Sequence, residues 1–66
     1  MEVIVNGEPQ TLAQALTIAA LIEARGLVGK RIAVERNGEI VPKSRHAGTA
    51  LADGDRIEIV VAVGGG

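Results

Sequence analysis

Apolar and polar positions change period several times along this chain, and each change predicts an element. Glu2 to Asn6 alternates around Val3 and Val5, the period of a strand with one buried face. Asn6-Gly7 follows, and Asn-Gly is a strong hairpin signal because both residues tolerate positive φ. Glu8 to Leu12 is the predicted return strand. Pro9 has no N–H to donate, which assigns that strand to a sheet edge. The period then lengthens. Ile18, Leu21 and Ile22 share one helical face, and a helix is predicted from about Ile18 to Arg25. Thr17 suits its N-cap, with Leu16 and Leu21 placed as a hydrophobic staple. Gly26 suits the position just past its end, with Leu27 folding back on Ile22. Alternation returns from Arg31 to Arg36, with Ile32 and Val34 inward. A second Asn-Gly turn, Asn37-Gly38, leads to a short strand from Glu39 to Val41, stopped by Pro42. Lys43 to Leu51 reads as a loop with a helical turn. Asp53-Gly54-Asp55 reads as a tight turn feeding a last strand from Arg56 to about Val63.

Strand, strand, helix, strand, short strand, strand makes an α+β domain in which the helix covers one sheet face. The expected architecture is a ubiquitin-like β-grasp, a mixed four- to five-stranded sheet with one main helix packed on one face. Its first and last strands would lie side by side in the centre, parallel, with the Pro9 strand outside. The expected division is a domain over 1–63 and a flexible glycine tail over 64–66.

Sixty-six residues make one domain, and one this small buries only about 60% of the surface its unfolded chain exposes. There is no Cys to staple it and no Phe, Tyr or Trp to fill it, so the core rests on aliphatics. The net charge of −1 argues against nucleic acid as the main partner, since phosphate recognition needs a clustered positive excess. No apolar run approaches the roughly 20 residues of a membrane span. The first residues lack a signal-peptide layout, and a cytoplasmic location is expected. Lys30, Arg31, Arg36, Lys43 and Arg45 are candidates for a weak basic face, though a solvated surface is the better reading. Asp53-Gly54-Asp55 lacks the further ligands of a calcium loop, His46 reads as a solvated loop residue, and no metal site is expected.

The informative chemistry is at the end, where Gly64, Gly65 and Gly66 follow the last strand directly. Bare glycine adds nothing to packing and loses the most freedom on ordering. It does make a stalk thin enough to enter another protein's active site. The chain itself has no P-loop pattern, no Cys and a single His, so no nucleophile–base pair is evident. These features read as a carrier acted on by enzymes, whose working group is the carboxylate of Gly66, and not as an enzyme.

The segments VIVNGE (Val3 to Glu8), AVERNGEIVPKS (Ala33 to Ser44), LADGDRIEIV (Leu51 to Val60) and the ending AVGGG together resemble the ThiS family of sulfur carriers, over essentially the whole chain. The resemblance implies that Gly66, with Gly64 and Gly65 as the tail motif, is adenylated with ATP by a ThiF-type enzyme. A cysteine desulfurase relay would then supply the sulfur of a thiocarboxylate. A ThiG-type thiazole synthase would accept that sulfur in making the thiazole of thiamine. ATP would belong to the activating partner, and the carrier would bind no cofactor of its own. A MoaD-like carrier for molybdopterin shares the tail chemistry, as does a ubiquitin-like protein modifier, and an inert interaction domain is a further class.

Three extended glycines add roughly 10 Å of reach. Ordering them costs about 1–2 kcal/mol per residue, which contacts with the body must offset. If Val3, Val5, Ile32, Val34, Ile57, Ile59 and Val61 face the helix, alternation places Ile4, Ala33, Val60 and Ala62 on the open sheet face. Those four are the expected partner-binding residues.

Overall fold

Both Asn-Gly pairs form the hairpin turns their sequence predicts. In the computed structural model, which describes residues 1–62, β1 (Glu2–Val5) turns into β2 (Glu8–Thr11) through Asn6 at φ 50° and Gly7 at φ 82°. Asn37 at 52° and Gly38 at 86° likewise join β3 (Ile32–Arg36) to β4 (Glu39–Ile40). Paired positive φ values give a turn whose twist matches that of the flanking strands. The last strand, β5 (Arg56–Val61), enters the middle, and the sheet runs β2-β1-β5-β3-β4. β1 and β5 are parallel, while the other neighbours are antiparallel. Pro9 sits in the edge strand β2, as its missing donor requires. The result is the expected β-grasp, with five strands and one α-helix among the described residues.

The helix, α1 (Ile18–Ala24), is defined at both ends. Thr17 Oγ1 accepts from the Ala20 N–H at 3.1 Å, one of the donors a helix start leaves unpaired. At the other end the Gly26 N–H donates to Glu23 O and the Leu27 N–H to Ile22 O, the two bonds of a Schellman closure. Gly26 stands at φ 69°, a conformation that disfavours any residue with a Cβ. Ile18, Leu21 and Ile22 pack against Val3, Val5, Val34, Ile57 and Ile59 from the sheet, and Leu51 closes one side.

Residues 46–51 are zipped along the start of α1. The Ile18 N–H donates to Thr49 O, the Ala19 N–H to His46 O, and the Leu51 N–H to Leu16 O. The helical turn expected after Pro42 is a 3-10 helix, Lys43–Arg45. His46 behind it departs from expectation: it is buried, with Nε2 3.0 Å from the Val41 carbonyl. Periodicity fails there because the residue is held by a compact turn and not by a strand or helix face.

Candidate docking face and tail exit

β5 carries the chain toward its glycines, so what fixes β5 fixes where the tail leaves. Its start is held by a knot around Asp55, whose carboxylate is buried. Oδ2 accepts from Arg36 Nε at 2.8 Å and from the Ala52 N–H at 2.8 Å, while Oδ1 accepts from Asn37 Nδ2 at 3.1 Å. Burial pushes this carboxyl up. The donors from Ala52, Asn37 and Arg36, with the Arg36 charge, outweigh it and hold the group below its ordinary value. Asn37 also accepts from the Arg56 N–H through Oδ1. The Ile4 N–H donates to Asp55 O, which ties β1 to the same point.

Farther along, Asn6 acts as a substitute peptide. Its Oδ1 accepts from the Ile59 N–H at 2.7 Å and its Nδ2 donates to Ile59 O at 3.2 Å. The carboxamide thereby extends the parallel ladder one step beyond the point where β1 turns away. Past Ile59 the paired neighbour of β5 is β3 alone. The last described link is the Ala62 N–H donating to Arg31 O at 2.9 Å. Gly64, Gly65 and Gly66, with Val63, lie outside the described residues.

Register resolves the open sheet face into rows. Ala33 stands opposite Val60, with Ala62 next on the same side of β5, so three of the four expected residues come together beside the exit. Val60 is 59% exposed, and Ala33 and Ala62 are exposed too. Ile4 does not join them. It is half-buried and stands opposite Arg56, four residues back from Val60, or about 13 Å along the strand. Between them runs a row of Glu58, Glu35 and Ile40. Ile40 is 71% exposed and belongs to this face, a member that sequence reading missed because β4 is too short to show alternation. Val61, expected beneath the helix, is 41% exposed and stands past the last residue of β5 that pairs with β1.

The described residues hold no group of three or more His, Cys, Asp or Glu placed to bind a metal ion. Asp53 is structural, its Oδ1 accepting from the Glu2 N–H at 2.7 Å. No helix among the described residues is long and apolar enough to cross a membrane.

A capped helix on a β2-β1-β5-β3-β4 sheet, with the central strand running out to glycine, defines a ubiquitin-like protein of the β-grasp class. Residues 3–66 match the model of the ThiS family, and the chain belongs to that family. It is similar to the sulfur carrier protein ThiS of Bacillus subtilis, 48% identical over 50 residues and covering 76% of each chain. The crystal structure of a thiamine biosynthesis protein (ThiS) from Geobacter metallireducens superposes with a TM-score of 0.83, at 33% identity and with all of both chains covered. The whole chain is also 46% identical to part of a thiazole synthase of Paramagnetospirillum magneticum. A thiazole synthase of Magnetococcus marinus matches at 33%. The chain spans only 20% of the length of these two relatives.

Proposed function

We propose that this protein is the sulfur carrier of thiazole formation in thiamine synthesis, working in the cytosol through the carboxylate of Gly66. A ThiF-type enzyme would couple that carboxylate to AMP from ATP, releasing pyrophosphate. The mixed anhydride turns a poor leaving oxygen into a good one. The terminal sulfur of a persulfide carried by a cysteine desulfurase relay would attack the carbonyl carbon and expel AMP, giving an acyl disulfide. A thiol reductant would then cleave its S–S bond to leave the thiocarboxylate. A ThiG-type synthase would draw the sulfur from it. Catalytic groups and nucleotide site would belong to those enzymes, and the carrier would contribute reach, slenderness and a body to grip.

The observation that carries this reading is the family match running through the glycines to residue 66. The exit geometry supports it, since β5 is anchored at Asp55, Asn6 and Arg31 before the tail begins. Thiazole synthases that contain a stretch similar to this entire chain support the thiazole pathway over molybdopterin. They also support a synthase as partner, because a fused carrier and acceptor keep the two at high effective concentration. The Ala33–Val60–Ala62 patch is the proposed contact for the activating enzyme.

Complementation tests the reading. The full chain should restore growth without thiazole to a bacterium lacking its own ThiS, and the chain shortened by Gly66 should not, although both fold. Rescue of a molybdopterin-carrier mutant in place of the thiazole mutant would refute it.

A further inference from the structure

Five of the seven basic residues lie in two stretches, 24–34 and 41–52, that contain none of the eight acidic ones. The fold sets these stretches against each other. Between the C-terminal half of α1, the turn at 27–30 and the 43–47 segment lies an open groove of about 800 Å³. Ile22 and Ile32 contribute to its apolar lining, and Val28 stands at its lip, 68% exposed. Lys30, Arg31 and Lys43 line it too, and among the described residues no carboxylate does. The ion pair among the described residues is Arg36 with Asp55, so none of these three cations is paired there. The groove also adjoins the tail exit. Arg31 O receives the Ala62 N–H, and Ile32 stands opposite Val61.

We propose that this groove docks an acidic segment of the protein whose active site receives the tail. The segment would set one aliphatic or aromatic side chain against Ile22 and Ile32 and flanking Asp or Glu carboxylates against Lys30, Arg31 and Lys43. This inference rests on the carrier reading. The apolar lining favours a peptide over a nucleic-acid backbone, and the cations call for carboxylates. The groove lies on the helix side of the sheet, whereas Ala33, Val60 and Ala62 lie on the other. A partner or pair of partners can therefore hold the carrier on both sides of the exit while the tail is threaded.

The test uses the full chain with the ThiF-type enzyme and the thiazole synthase of the same organism. Calorimetry at low and high salt compares the natural protein with the variant Lys30→Glu/Arg31→Glu/Lys43→Glu, after a thermal melt establishes that both are folded. The variant should bind at least one enzyme about tenfold or more weakly, and its binding should lose most of its salt dependence. Lys30→Arg/Lys43→Arg should bind normally. The amide NMR signals of Val28, Gly29 and Ala47 should move when that enzyme is added to the natural carrier. That mapping stands alone if the reversed variant does not fold. Unchanged affinity of the folded variant for both enzymes overturns the proposal, as do unmoved signals. The same signals shifting equally with inorganic phosphate alone would assign the rim to small anions and also overturn it. If Val60→Asp abolishes binding and the charge-reversed variant does not, the carrier reading stands and the groove falls. If the natural protein binds neither enzyme, both fall.

Discussion

Replacing Asp55 by Ala tests how the central strand is anchored. The carboxylate accepts three hydrogen bonds, from Arg36 Nε, the Ala52 N–H and Asn37 Nδ2. Each contributes about 1 kcal/mol net, somewhat more where a charge assists. Ala52 and Asn37 are exposed enough for water to re-pair their donors. The loss should therefore be about 2–3 kcal/mol, well short of the cost of a stranded buried charge. For a domain of this size that lowers the melting temperature by about 10–20 °C. A pH series adds a second signature. The folded protein holds this carboxyl below the ordinary 3.8, so it binds fewer protons there than the unfolded chain does. Its contribution is complete above that value and disappears as the pH falls through the depressed one. Urea melts followed by circular dichroism should show the gap between natural protein and variant constant at neutral pH and narrowing below about pH 4. A gap under about 0.5 kcal/mol at neutral pH, or one that does not change in acid, would refute this account of the knot.

Asn6→Ala should cost about 1–3 kcal/mol by unpairing both backbone groups of Ile59, read in the same denaturant melts. A cost under half of that would show that water replaces the carboxamide. Gly26→Ala should destabilise by about 1 kcal/mol because the residue stands at φ 69°, and a neutral result would contradict the closure described for α1. Val60→Asp should leave the melting temperature nearly unchanged, the side chain being exposed, while weakening binding to the ThiF-type enzyme. Equal affinity in calorimetry would remove the open face from the mechanism.

Local chemistry made most of the fold legible. Asn-Gly pairs, Thr17, Gly26, Pro9 and Pro42 each constrain their own backbone, so turns, caps and edge could be read residue by residue. Side chains that reach across the chain were another matter. Asn6 meets Ile59 and Asp55 meets Arg36 only once the strands are ordered, and neither separation carries a periodic signal. The burial of His46 is hidden for the same reason, since a polar residue in a turn gives no hint that a carbonyl from Val41 awaits it. At the open face, alternation assigned the correct side to Ala33, Val60 and Ala62 but said nothing of register. Register is what separates Ile4 from them by a row bearing Glu58 and Glu35. The cations of the groove were visible as a list of residues. Their gathering around apolar residues beside the tail exit depends on how the 27–31 and 43–47 segments fold together.

Intact-mass spectrometry of the protein itself tests the central claim most directly. The protein is incubated with the ThiF-type enzyme, ATP, a cysteine desulfurase, cysteine and a dithiol reductant, and then weighed. The account predicts replacement of one oxygen by sulfur, localised by fragmentation to Gly66 and absent when Gly66 is removed or amidated. A protein of unchanged mass in a mixture that loads the Bacillus subtilis ThiS, or one joined through Gly66 to a lysine of another protein, would contradict it.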